Sequence, residues 1–339
     1  MKINSTGAVI AALSLGASGV TAQESSAFTW EGEIEVGSAS ILKSDIAANE
    51  ATDNYLVAEF LANLHLSDTF SLFGGLTIES GLDPFYNGHG TWEGIGAYIH
   101  ELGVQIDLNS TSIVVGKVHP EFGTAWDDTA GFFSGAIAED YELAEQIGFL
   151  ADFGLGDGSM LSFSVFYADD TVLSESAFNN RGRNTTAAGG AGNTGQLDNV
   201  SVQWTKTFDD TRFHIGARHL SAGTGDVKDE QGVIAGLSHS FANGLFVYGE
   251  AAMFTGFGGT ADDANYVTLN AAYGVGQTTF SGALVRRDIE SAGVTNLATL
   301  GVEYEFDSGI TLGGALAWMD DAGTDETLFG LNVIIPIGG

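Results

Sequence analysis

Between His119 and Leu143 the chain gathers six carboxylates, Glu121, Asp127, Asp128, Glu139, Asp140 and Glu142, among three phenylalanines and one tryptophan. Across the whole sequence 44 acids face 11 basic residues, for a net charge of −33. Carboxylates at this density attract cations and repel anions, and nucleic acid is excluded as a partner. The basic residues that can answer them are scarce: chiefly Lys43, Lys117, Lys206, Arg212, Arg218, Arg286 and Arg287, with Arg181 and Arg183 further along. Adjacent pairs such as Asp127-Asp128 and Asp169-Asp170 offer hard oxygen ligands suited to Ca²⁺, and they equally suit solvated turns. The composition calls for no other cofactor. Seven histidines occur without metal spacing, cysteine is absent, and no Gly-x-Ser-x-Gly run is present, so the residues do not point to an enzyme.

The elements that position these groups are strands. Glycine is abundant (48 residues) and proline rare (3), a composition that disfavours helices. From residue 27 onward, segments of about ten residues alternate strictly between apolar and polar positions. In 55–67, Leu56, Ala58, Phe60, Ala62, Leu64 and Leu66 share one face, with Glu59, Asn63 and His65 on the other. In 296–306, Ala298, Leu300, Val302, Tyr304 and Phe306 oppose Thr299, Glu303 and Glu305. Such segments fall near 27–37, 54–66, 69–80, 93–108, 111–118, 141–153, 159–168, 197–207, 211–221, 230–240, 244–254, 265–274, 277–287, 295–306, 309–319 and 327–336, sixteen in all.

Their spacers alternate in length. Seven short ones, such as Ser67-Asp68 and Asn109-Ser110, interleave with eight longer ones: 38–53, 81–92, 119–140, 169–196, 222–229, 255–264, 288–294 and 320–326. An up-and-down meander whose tight turns share one end has this pattern, and outer-membrane barrels show it. A soluble sandwich would need crossovers that hairpin order does not supply, and a solenoid would need a fixed repeat. A sixteen-strand ring is too wide for side chains to fill, so a polar lumen and an apolar exterior imply lipid outside. Aromatics near the strand ends (Trp30, Trp92, Tyr98, Phe153, Tyr167, Phe208, Phe241, Tyr273, Phe306 and Trp318) suit interfacial girdles.

Residues 1–22 read as a secretory signal peptide. Lys2 precedes the apolar run Ala8–Leu15, and Val20-Thr21-Ala22 fits a small-residue cleavage site. Residues 23–339 then form one barrel domain. No segment approaches the length of an apolar helix that spans a bilayer.

The stretches Gly116-Lys117-Val118-His119-Pro120-Glu121-Phe122-Gly123-Thr124-Ala125-Trp126-Asp127 and Ala138-Glu139-Asp140-Tyr141-Glu142-Leu143, with Asn180-Arg181-Gly182-Arg183 and Gly189–Thr194, resemble those of Gram-negative general-diffusion porins of the alphaproteobacterial type. The resemblance implies an all-β, sixteen-stranded antiparallel transmembrane β-barrel whose third external loop folds inward. It also implies a homotrimer in the outer membrane, in contact with lipid and lipopolysaccharide, passing ions and small hydrophilic solutes by passive diffusion.

On that reading Glu121, Asp127, Asp128, Glu139, Asp140 and Glu142 line a constriction. Phe122, Trp126, Phe132 and Phe133 pin the loop to the wall, and Lys43, Lys117, Arg218 and Arg287 form an opposing basic wall. The acid excess then implies cation preference. A substrate-specific channel and a plugged structural or adhesive barrel remain as alternatives. One departure from the family is the C-terminus, Ile335-Pro336-Ile337-Gly338-Gly339, which lacks the usual final aromatic.

Overall fold

A computed structural model of the chain describes residues 27–81, 90–92, 94–178 and 181–338. The signal-peptide reading of residues 1–22 lies outside them. Sixteen strands follow one another: β1 Phe28–Ser44, β2 Thr52–His65, β3 Phe70–Glu79, β4 Gly96–Leu108, β5 Thr111–Val118, β6 Gln146–Gly154, β7 Ser159–Ala168, β8 Asn199–Phe208, β9 Thr211–Leu220, β10 Glu230–Ser240, β11 Leu245–Thr255, β12 Asp263–Val275, β13 Thr278–Ile289, β14 Gly293–Glu305, β15 Thr311–Asp321 and β16 Thr324–Gly338. Each pairs antiparallel with the next, and β16 closes on β1 from Glu31↔Gly338 to Ser44↔Glu326. Closure leaves no strand edge unpaired, the condition for a sheet to sit in hydrocarbon. A two-residue parallel ladder, Asp53↔Gly90 and Asn54↔Thr91, is laid against β2 by the second long loop.

The alternation of the sequence becomes an inside and an outside. On β12, Val267, Leu269 and Tyr273 are exposed outward, while Tyr266, Thr268 and Asn270 are buried toward the lumen. The outward set continues round the barrel through Leu102, Val104, Val115, Ile215, Val233, Leu237, Leu284, Leu300, Leu316 and Leu331. This apolar belt continues from strand to strand, unlike the separate patches that a water-soluble surface carries. Among the described residues no helix is long and apolar enough to cross a membrane.

Aromatics mark the tight-turn rim. Trp30, Phe153, Phe208, Phe241, Tyr273 and Phe306 are all exposed there. Tyr98 departs from the girdle: it turns inward and carries the Arg181 guanidinium 4.0 Å above its ring.

The long-loop end is more varied than the spacers suggest. Strands β1 and β2 extend so far that only 45–51 joins them. Residues 290–292 join β13 to β14, and Ala322-Gly323 alone joins β15 to β16. Ala322 (φ 51°) and Gly323 (φ 88°) both sit in the left-handed region, as a two-residue hairpin requires. These strand ends carry Asp288, Asp320, Asp321, Asp325 and Glu326. Polar residues on both faces erase the apolar alternation and make the segments look like loops.

Candidate functional site

The third long connection, residues 119–145, enters the barrel and lines one side of it. It contains a single helical turn, α1 (Ala125–Asp128), and a 3₁₀ turn at Ala138–Tyr141. Backbone donors and acceptors need partners wherever they leave the sheet, and strand side chains supply them. Gly123 N donates to Gln203 on β8 at 2.7 Å, and Ser201 Oγ donates to the Glu121 carbonyl at 2.7 Å. Asn270 on β12 brackets Ala130, accepting from its N–H (3.1 Å) and donating to its carbonyl (2.9 Å). Ser134 Oγ meets Thr299 on β14 at 3.3 Å. The loop's hydrogen bonds to strand side chains therefore follow the wall from β8 to β14.

Glu250 on β11 is the centre of this attachment. Its carboxylate accepts from Thr124 N (2.8 Å), Ala125 N (3.2 Å), Tyr141 Oη (2.6 Å), Tyr248 Oη (2.8 Å) and His214 Nε2 (2.7 Å). The group is buried, and five donors satisfy it, which a lone buried carboxylate would demand. Both ends of the loop, Thr124-Ala125 and Tyr141, converge on this one side chain.

Aromatic packing completes the contact. Phe122 is 1 % exposed and lies with its ring centroid 5.8 Å from that of Phe254. Burying it contributes about 2–3 kcal/mol. Phe132 and Phe133 contact each other at 4.6 Å, and Phe132 reaches Tyr55 on β2 at 6.2 Å. Opposite the Phe132 ring stands Gly330 on β16, where a Cβ would come within 2.5 Å of that ring. Gly131 holds φ +104° beside Ser281, a conformation that only glycine adopts freely. Trp126 is half-buried against the same cluster.

The acids of the loop have definite neighbours. Asp128 pairs with Arg212 at 2.9 Å, and Asp140 pairs with Arg287 at 2.9 Å while accepting from Tyr266 Oη at 3.1 Å. Glu142 lies 3.9 Å from His119 Nδ1, whose Nε2 faces the His100 carbonyl at 3.2 Å. Burial opposes the charge on His119, but Glu142, Glu101 and that carbonyl outweigh it and raise its pKa. Glu121 receives Gln203 Nε2 at 3.3 Å, and burial with Asp152 nearby pushes it up to about 7. Burial, then Glu142 and Asp140, push Glu139 up to about 8. Asp127 is half-buried at the end of α1.

The basic residues do not form an opposing wall. Arg287 bridges Asp140 and Asp321 (3.3 Å), and Arg218 donates to the Tyr141 carbonyl at 2.5 Å and to Glu230, so both hold the loop from its own side. Lys117 is buried at the loop's neck, bonded to Glu145 (2.7 Å) and Asp169 (2.9 Å). Arg181 also bonds Glu145 there, tying the fourth loop to the third. Lys43 follows a bulge between Ile41 and Lys43 and pairs in register with Thr327, on the outer face with Trp318. The reason is electrostatic economy: in so acidic a chain, each buried guanidinium sits where carboxylates and carbonyls already converge.

Of the carboxylates suited to calcium, Asp128 and Asp169 are engaged by Arg212 and Lys117, and the Asp170 carbonyl accepts twice from Arg183 (2.9 and 2.7 Å). Among the described residues no group of three or more His, Asp or Glu side chains is gathered as for a metal ion. Sequence reasoning did not single out Glu250, Tyr248, Tyr266 or His214 as a set. The signal available was large polar side chains at inward positions of neighbouring strands, where small ones would leave the lumen open.

A scan against protein-family models gives no match, and a search of curated proteins gives none. Solved structures are similar. OprB of Pseudomonas putida superposes with a TM-score of 0.67 at 9% identity, covering 92% of this chain and 94% of that one. The outer membrane channel DcaP of Acinetobacter baumannii gives 0.65 at 12%, covering 91% and 97%. A mutant of Rh. blastica porin gives 0.61 at 15%, covering 91% and 100%. The chain thus has the porin fold: a closed, sixteen-stranded antiparallel barrel with its third long loop folded inward.

Proposed function

We propose that this chain is an outer-membrane porin, a water-filled channel for passive diffusion of ions and small hydrophilic solutes, with cations preferred. The observation that carries the reading is the third loop, pinned across one side of a polar lumen inside an apolar exterior. A constricted polar path sorts solutes by size and charge without a chemical step, which is the work of a channel rather than an enzyme. Residues 1–22 would direct export and be removed. Assembly as a homotrimer, and contact with lipid and lipopolysaccharide, belong to the same reading.

Single-channel recording of purified protein in a planar bilayer tests it. Stepwise conductance with positive reversal-potential selectivity for cations is expected, in groups of three if trimers insert. A protein that inserts but never conducts would sink the channel reading. Deleting Thr124–Ala136 should raise unit conductance about twofold or more, because the polar path widens where the loop stood. Unchanged conductance would show that the loop does not constrict the path.

The elevated Glu139 gives a pH dependence with a definite sign. Its folded pKa of about 8 lies above the ordinary 4.5, so it is mostly protonated at pH 7 and gains charge as pH rises through 8. Cation preference should therefore grow between pH 7 and 9, and Glu139→Gln should remove part of that growth. The same shift makes its contribution to loop stability complete below pH 4.5 and lost as pH rises through 8. Reversal potentials recorded at successive pH values for both proteins check this; identical profiles would refute it.

A further inference from the structure

We infer that the charge preference of the pore is set by Glu33, Glu59 and Glu101 on strands β1, β2 and β4, and not by the paired acids of the inward loop. The inference rests on the channel reading above.

Three of the loop's six acids are compensated. Asp128 meets Arg212 and Asp140 meets Arg287, both at 2.9 Å, and Glu142 faces His119 at 3.9 Å. An acid and a cation this close present a dipole to the lumen, and its field falls off faster than that of a charge. A second group of acids stands on β1, β2 and β4, outside the stretch from β8 to β14 that the loop's hydrogen bonds follow. Glu33 and Glu59 are direct cross-strand partners, Glu59 is in register with Thr77 on β3, and Glu101 is in register with Gly75 two residues away. All three are half-buried on the lumen side of their strands.

Among the described residues none of the three has a Lys, Arg or His nitrogen within 4 Å in an ion pair. The nearest hydrogen-bond donor to Glu59 is the Thr77 hydroxyl at 3.3 Å, a neutral group. Three carboxylates in a row on a low-dielectric wall focus a negative potential into the water beside them. A cation crossing there exchanges hydration for carboxylate oxygen, whereas an anion meets repulsion that the nearby His119 imidazole, shared with Glu142, does not cancel.

The placement of the arginines follows from the same count. Arg212, Arg218 and Arg287 are engaged in holding the loop, so none of the three pairs with Glu33, Glu59 or Glu101. A field pointing from a basic wall to an acidic loop is replaced by a negative wall and a loop half of whose acids are paired.

The experiment compares two sets of variants by reversal potential under a tenfold KCl gradient at pH 8, with fold confirmed by circular dichroism. Glu33→Gln/Glu59→Gln/Glu101→Gln should lower the cation-to-anion permeability ratio about threefold or more. Neutralising whole pairs, Asp128→Asn/Arg212→Gln and Asp140→Asn/Arg287→Gln, should change it less than the wall variant does. The three single wall exchanges are recorded as well, so that a triple variant that fails to fold leaves the comparison intact; each should lower the ratio. An unchanged ratio in folded wall variants, or a larger change in the pair variants, would overturn the inference. Absence of conductance in the unaltered protein would count against the channel reading instead.

Discussion

Replacing Glu250 by alanine should release the inward loop while leaving the barrel closed. Five donors converge on that carboxylate, two from the backbone at Thr124 and Ala125 and three from Tyr141, Tyr248 and His214. Alanine leaves all five without their acceptor in a buried site. Removing one partner from a buried charged network costs about 3–5 kcal/mol. The strand ladder around position 250 is unaffected, because Glu250 pairs through its backbone with Gly236 and Thr268. The cost therefore falls on the loop.

Recordings of Glu250→Ala should show larger, noisier conductance, and limited proteolysis should cut between residues 123 and 141 where the unaltered protein resists. Glu250→Gln keeps the shape and one acceptor oxygen, so a smaller loss, about 1–2 kcal/mol, is expected. His214 then becomes the informative partner. Its Nε2 faces Glu250 at 2.7 Å, and an amide nitrogen turned toward it would leave two donors in contact. Quiet, unaltered single channels in Glu250→Ala would show that the aromatic contacts of Phe122, Phe132 and Phe133 suffice.

The barrel was legible in the sequence because hydrocarbon enforces period two. Wherever a strand crosses the apolar belt, outward positions such as Leu269, Leu284, Leu300 and Leu316 must be apolar, and all sixteen strands announce themselves there. The ends of β13–β16 did not, since above the belt both faces meet water and the constraint disappears. Lys43 shows how a local irregularity misleads. A bulge between Ile41 and Lys43 moves it to the outer face, and no residue type in that stretch marks the slip.

The loop's rank as third long spacer followed from spacer order and its inward fold from the family resemblance, but its attachment followed from neither. Glu250, Tyr248, Tyr266 and His214 each occupy an ordinary inward position, and only register brings them together. Arg218 and Arg287 do face inward, as alternation implies. Which loop group each one meets, the Tyr141 carbonyl or Asp140, depends on where a loop more than seventy residues earlier in the chain comes to rest, and no periodicity encodes that.

Arg218 is the second point at which the loop stands or falls, and replacing it by methionine should cost more than any exposed pair in the molecule. The side chain is 3 % exposed; it bonds Glu230 at 2.6 and 2.8 Å and the Tyr141 carbonyl at 2.5 Å. Its guanidinium also lies 4.6 Å from the Phe122 ring centroid and 4.7 Å from that of Phe254. Methionine fills the slot between the rings but leaves Glu230 buried, with Gly258 N at 2.8 Å its one remaining donor among the described residues. A cost of about 3–5 kcal/mol is expected, seen as a lower thermal unfolding midpoint in detergent. Lysine should not rescue it, because a single ammonium cannot fill the space between two rings and still reach Glu230 and a carbonyl. Exchanging both partners, Arg218→Met with Glu230→Gln, removes the uncompensated charge and should recover about half of the loss. If the double variant is no more stable than Arg218→Met alone, the loss comes from the contacts with Phe122, Phe254 and Tyr141, and the ion pair contributes only through the position in which it holds the guanidinium.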